Sequence, residues 1–265
     1  MKWLFTDYDG TLKNPLKKDD KDINEYDLKW INEFQSKGNK IVLISGRSFL
    51  RIKKPLKDLY NFTPDFFISS TGSTIHSSDE KILFSYSIEE NKKVLILNKL
   101  KPFTNRPDFN VMFVTTPKIE KCIIDNVGHS QLFEQMMIPY NEDREFKEII
   151  NEEIINFKFF MSKELWSEVQ NSIAELNMDY SQAQIGDIFY PEIIKKGISK
   201  ANAIHWMKEN FNISGNDLLV AGDDFNDLTM FKDFYEHSYI VCHPENKSIQ
   251  DKAKFQIDKI SDIKF

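Results

Sequence analysis

Asp7 and Asp9 stand two positions apart where a short apolar run, Lys2 to Thr6, ends, so at a strand end both side chains project the same way. Two carboxylates that close imply either a shared proton or a cation. A hard divalent ion such as Mg2+ suits a sparse acidic site, because it takes oxygen ligands from one or two carboxylates together with phosphate and water. A second acidic group, Asp223, Asp224 and Asp227, follows another apolar run, Asp217 to Ala221. Asn226 and Asp227 fall in the first turn of the helix expected next, where a carboxylate can also serve as a cap against the helix dipole. Clustered carboxylates without partners destabilise a fold. Asp7, Asp9 and Asp223 together therefore point to a function.

Carboxylates and a metal cannot hold a phosphoryl group unless donors balance them. Ser45 ends a second apolar run beside Gly46, offering a hydroxyl and backbone N–H groups. Lys200 opens a helix that precedes the Asp223 strand and offers a point positive charge. A carboxylate nucleophile next to a cation and a lysine is the minimum set for positioning and neutralising charge at phosphorus.

The elements that must carry these residues follow from the pattern. Lys2–Thr6, Lys40–Ile44 and Asp65–Ser69 lack polar alternation, as strands covered on both faces do. Between them lie two helical stretches, the first opened by Asn24 with Asp27 three residues on and closed by Gly38. The same grammar returns with a helix over 198–210, a strand over 217–221, a short helix through Phe231 and a strand at Tyr239–Val241. This is an α/β fold with a parallel, Rossmann-like sheet, whose ligand sites lie at the carboxyl ends of the strands. Both aspartate groups fall there. Between about 81 and 187 strand pairs alternate with helices, which predicts an inserted α+β cap domain over 81–187 and a core formed by 1–80 and 188–265.

Composition removes other classes. The chain has 265 residues, 41% hydrophobic with 22 Phe, which excludes disordered and low-complexity proteins. Thirty-five Lys and Arg against 41 Asp and Glu give a net charge of −6, so no global positive field draws nucleic acid or anionic membranes. No stretch approaches the ~18 apolar residues that span a bilayer. The N-terminal apolar segment is too short for a secretory signal, and two distant cysteines, Cys122 and Cys242, write neither a disulfide framework nor a zinc site. A cytoplasmic location is expected. Neither Gly-x-Gly-x-x-Gly nor Gly-Lys-Ser/Thr occurs, which removes dinucleotide and P-loop readings.

Four segments in order, Asp7-Tyr8-Asp9-Gly10-Thr11, Ile44-Ser45-Gly46-Arg47, Gly197-Ile198-Ser199-Lys200 and Gly222-Asp223-Asp224-Phe225-Asn226-Asp227, resemble the four motifs of the haloacid dehalogenase (HAD) superfamily. The large insertion between the second and third resembles the cap of its Cof-type, type IIB branch, and Pro64–Ser73 with Gly46-Arg47-Ser48 is similar to sucrose-phosphate phosphatases. The resemblance implies that Asp7 attacks a phosphate ester to form an aspartyl-phosphate, and that Asp9 protonates the leaving oxygen and then activates water. It implies Mg2+ bound by Asp7, the Asp9 main-chain carbonyl and Asp223, with Asp224 or Asp227 in support. Ser45, Gly46 and Lys200 would hold the phosphoryl oxygens. The chain departs from the Cof-type pattern where Asn-Gly-Ala becomes Thr71-Gly72-Ser73, where the motif-four Gly becomes Asp224, and where Asn-Ala becomes Pro244-Glu245.

The expected function is Mg2+-dependent hydrolysis of a small phosphorylated metabolite, a sugar phosphate by resemblance, with neither nucleic acid nor membrane as partner. A phosphomutase would keep Asp7 and Asp9 but return the phosphoryl group to sugar. A non-enzymatic phospho-acceptor would have no use for an acid two residues past the acceptor, nor for an inserted domain. The insertion is too long for a loop and is expected to act as a lid that chooses the leaving group.

Overall fold

The structure, a computed structural model, describes residues 1–13, 23–185 and 188–264. The chain divides into two compact units, one of Met1–Arg47, Ile52–Phe84 and Ser199–Phe265, the other of Ser48–Arg51 and Ser85–Ile198.

The first unit begins with strand β1 (Trp3–Asp7), helix α1 (Glu25–Ser36), β2 (Lys40–Ile44), α2 (Phe49–Tyr60) and β3 (Phe66–Ser69). Asn24 caps α1 by accepting the Asp27 N–H at 2.9 Å, and Ile31 and Phe34 form its buried face. Two short strands not expected from the sequence follow, β4 (Thr74–Ser77) and β5 (Ile82–Ser85).

The second unit then runs α3 (Glu90–Leu100), β6 (Phe109–Thr115), β7 (Glu120–Asp125), α4 (Ser130–Gln135), β8 (Asn156–Met161), α5 (Lys163–Ser172), β9 (Asp179–Ile185) and β10 (Ile188–Ile194). The chain returns to the first unit with α6 (Lys200–Asn210), β11 (Leu218–Gly222), α7 (Leu228–Asp233), β12 (Ser238–Val241) and β13 (Phe255–Ile257).

The sheet of the first unit has the order β13-β12-β11-β1-β2-β3-β4-β5. Every pair from β13 to β3 is parallel, and β4 turns back antiparallel on β3. β1 lies between β2 and β11, with Asp7 opposite Ile44 and Thr6 opposite Ala221. All five β1 residues are buried, which is why the run reads as continuous apolar sequence. Phe5, Val42, Ile44, Ile204 and Val220 pack into one cluster that fixes these strands and α6. The register brings the ends of β1, β2 and β11, with their two aspartate groups and Ser45, to one edge of the sheet.

The sheet of the second unit has the order β7-β6-β8-β10-β9, with all neighbouring strands antiparallel. Its core includes Phe109, Phe157, Phe159, Trp166 and Val169, so α3 and α5 cover one face. The sequence expectation returned the chain to the first unit at 188. Instead, β10 pairs with β9 from Ile188 to Ile194, and the second unit continues to Ile198. Trp166 and Phe133 are core residues of this unit.

Candidate active site

β1 delivers Asp7 at its last position, 4% exposed. Lys200, at the first position of α6, is wholly buried. Its ammonium donates to Asp7 Oδ1 at 2.7 Å, Asp227 Oδ1 at 2.6 Å and Asn226 Oδ1 at 3.0 Å. Burial alone would discharge this lysine; the carboxylates of Asp227 and Asp7 overcome it and raise its pKa.

Asp227 is fully committed. Its other oxygen accepts the backbone N–H groups of Asp223 and Asp224 at 2.9 and 3.0 Å, which closes the turn after β11. Asp224 is exposed and accepts the Phe225 N–H at 2.7 Å. Of the two aspartates considered as supports, Asp227 therefore lies inside the cluster and Asp224 at its surface.

Asp223 Oδ1 accepts the Thr11 hydroxyl at 2.6 Å. Gly10 makes this approach possible. Its φ is +85°, and a Cβ there would lie 2.0 Å from Asp223 Oδ2, so any side chain would be strained and would displace the Asp223 carboxylate. Asn246 donates to the Asp223 carbonyl at 2.7 Å and the Val241 carbonyl at 2.9 Å, and His243 Nε2 lies 2.5 Å from the Gly10 carbonyl. A ring nitrogen facing a carbonyl must carry the proton, so His243 donates.

The oxygens of Asp7, Asp223 and Asp227 lie within 4.8 Å of one another. Three carboxylates thus surround one buried ammonium. Burial pushes the Asp7 carboxyl well above its usual range despite Lys200, and burial pushes Asp223 up to about 7. Such a cluster takes up either a proton or a cation. Because Asp227 is already engaged by Lys200 and by two backbone N–H groups, the carboxylates left for a cation are those of Asp7 and Asp223, hard ligands of the kind a divalent ion prefers. The residues present fit such an ion.

The side chain of Asp9 is outside that cluster. Arg47 grips it in a fork, Nε to Oδ2 at 2.7 Å and Nη2 to Oδ1 at 2.5 Å. Any part Asp9 plays as a metal ligand thus falls to its main-chain carbonyl. Ser45 is buried at the end of β2, one residue past the partner of Asp7, and its Oγ accepts the Arg47 N–H at 3.1 Å. Gly46 follows it in the same turn. Thr11, His243 and Asn246 were not singled out from the sequence. Thr11 closes the Asp-Gly-Thr segment and was within reach of that motif, whereas nothing local marks His243 or Asn246, which lie far along the chain from the residues they hold.

Residues 4–262 match the haloacid dehalogenase-like hydrolase family. The chain belongs to that family, in its Cof-type branch. A Mycoplasma capricolum protein of unknown function is 32% identical over 267 residues, covering 100% of this chain and 99% of its own. A Haemophilus influenzae protein provisionally classed as a phosphatase is 23% identical over 235 residues, covering 87% of this chain and 83% of its own. The fold also matches a solved subclass IIB sugar phosphatase with a TM-score of 0.71 and 20% identity, covering 99% of this chain and 97% of that one. As a member of that family the protein is a hydrolase. Among the described residues no helix is long and apolar enough to cross a membrane.

Proposed function

We propose that the protein hydrolyses a small phosphorylated metabolite, a sugar phosphate, with Mg2+ as cofactor and through an aspartyl-phosphate on Asp7. The observation that carries this reading is Lys200, buried and shared between Asp7 and Asp227 at 2.7 and 2.6 Å. It holds Asp7 by one oxygen and leaves the other to attack. That oxygen forms a bond to phosphorus as the bond from phosphorus to the leaving oxygen breaks. Asp9 gives the leaving oxygen its proton, then takes one from the water that attacks phosphorus and frees Asp7. Ser45 and the Gly46 backbone hold the phosphoryl oxygens, and Lys200, whose three N–H groups go to Asp7, Asn226 and Asp227, supplies positive charge beside them rather than a direct bond. Asp227 fixes the turn that presents Asp223. A magnesium ion bound by Asp7, Asp223 and the Asp9 carbonyl would offset the charge that gathers on the phosphoryl oxygens.

The sugar phosphate rests on likeness to the sucrose-phosphate phosphatases in sequence and to the subclass IIB sugar phosphatase in fold. We further propose that the inserted residues set the choice of leaving group, since the motif residues supply phosphoryl chemistry and little that could recognise it.

The test is an inorganic-phosphate release screen over sugar phosphates, nucleotides and phospho-cofactors, with Mg2+ and with a chelator. Metal-dependent release from sugar phosphates is expected. Transfer to a second sugar hydroxyl without release would make the protein a mutase, and full activity under chelation would remove the metal.

A further inference from the structure

The turn after β3 runs against ordinary backbone preference. Ser70, Thr71 and Gly72 have φ values of 50°, 58° and 106°, three left-handed residues in succession. Gly72 has a visible reason: a Cβ there would lie 2.3 Å from the Ser199 carbonyl oxygen, immediately before Lys200. Thr71 has none of that kind. A β-branched residue is poorly suited to this backbone, and the bond its N–H gives the Ser45 carbonyl at 3.0 Å would be made equally well by glycine or asparagine. Strain of this sort persists where the surrounding structure enforces it, and such outliers collect at ligand sites.

The side chain shows what the strain achieves. Thr71 Oγ1 lies 3.5 Å from the place a Cβ on Gly46 would occupy, over the Ser45-Gly46-Arg47 turn. Two backbone bonds, Ser70 N–H to the Arg47 carbonyl at 2.9 Å and Thr71 N–H to the Ser45 carbonyl, hold the two turns together and fix that placement. Thr71 is half-buried, and its hydroxyl forms no hydrogen bond among the described residues. Ser45 Oγ, by contrast, already accepts from Arg47 and has its own proton to give. The two hydroxyls therefore belong to the same pair of turns, Ser45 preceding Gly46 and Thr71 Oγ1 lying over it, at a site whose buried lysine is already shared by Asp7 and Asp227.

We propose that Thr71 is a further substrate-binding residue, whose hydroxyl donates a hydrogen bond to a phosphoryl oxygen beside Ser45. The inference rests on the phosphatase reading above and extends it to a residue at which the chain departs from its branch.

The test measures inhibition of the full-length enzyme by inorganic phosphate, with an aryl phosphate as substrate, for wild type, Thr71→Ser, Thr71→Val and Thr71→Gly. Loss of a hydrogen bond to a charged acceptor should raise the phosphate Ki by about tenfold or more in the Val and Gly variants, while Ser stays within about threefold of wild type. Thr71→Gly relieves the backbone, so it should melt no lower than a few degrees below wild type, and it carries the test alone should the Val variant not fold. Wild-type Ki values in both Val and Gly, or a loss in Ser as large as in Val, would overturn the role of the hydroxyl while leaving the phosphatase reading standing. A wild-type enzyme that neither hydrolyses the aryl phosphate nor is inhibited by phosphate would overturn both.

Discussion

Arg47 holds both oxygens of Asp9 through one edge of its guanidinium, Nε to Oδ2 at 2.7 Å and Nη2 to Oδ1 at 2.5 Å, so the two aspartates of the first strand end have different partners. Asp7 is buried against Lys200, and Asp9 is half-exposed against Arg47. Under the proposed roles Asp7 is the carboxylate fixed for attack, and Asp9 must release one oxygen from Arg47 to give the leaving oxygen its proton. Asp9→Asn should therefore lower turnover of an alkyl phosphate by ~10² to 10⁴, and that of an activated aryl phosphate by much less, since a good leaving group needs no proton. Steady-state rates on the two substrates decide it; equal losses would remove Asp9 from proton transfer.

Lys200 also holds the fold together at this point. Lys200→Gln leaves Asp7 and Asp227 buried side by side without their cation, which should cost about 3–5 kcal/mol of stability at pH 7. Because the two carboxylates can take up protons instead, part of that loss should return at pH 5. Urea denaturation at the two pH values measures both. A variant as stable as wild type at pH 7 would mean that the cluster is solvated and that the buried ion pairs do not form.

The raised Asp223 carboxyl ties stability to pH and metal. Between the usual aspartate value near 4 and about 7, the folded protein holds a proton that the unfolded chain has lost. The stability this provides is complete below about pH 4 and is lost as pH rises through about 7, at up to about 1.4 kcal/mol per pH unit for one group. A divalent ion binds the ionised form, so Mg2+ should raise the melting temperature more at pH 8 than at pH 5. Calorimetry with Mg2+ and with chelator checks it. An equal Mg2+ shift at both pH values would separate the ion from these carboxylates.

What the sequence discloses, and what it hides, divides along physical lines. β1, β2 and β11 are buried on both faces and end in short acidic or serine-containing turns, so unbroken apolar runs reveal them and their ends mark the site. The capping of α1 by Asn24 is a local interaction and is equally legible. β10 is not, because Pro191 interrupts its pattern and a proline inside a strand argues against one. β4 and β5 are short and mixed in character, and only their place beside β3 makes them strands. Within the site, the bond of Thr11 to Asp223 spans 212 positions and that of His243 to Gly10 spans 233, distances over which no local pattern carries information. The left-handed turn at Thr71 is hidden for a different reason, since threonine is a residue that propensity would not place there.

The central claim is that Asp7 is the nucleophile, and Asp7→Asn tests it most directly. The change keeps the volume while removing the attacking charge, in a position held by Lys200 at 2.7 Å. Turnover of a sugar phosphate should fall by at least ~10³, the scale of losing a central catalytic group, in a variant whose circular dichroism and melting curve show it folded. Near-normal turnover by folded Asp7→Asn would contradict the account.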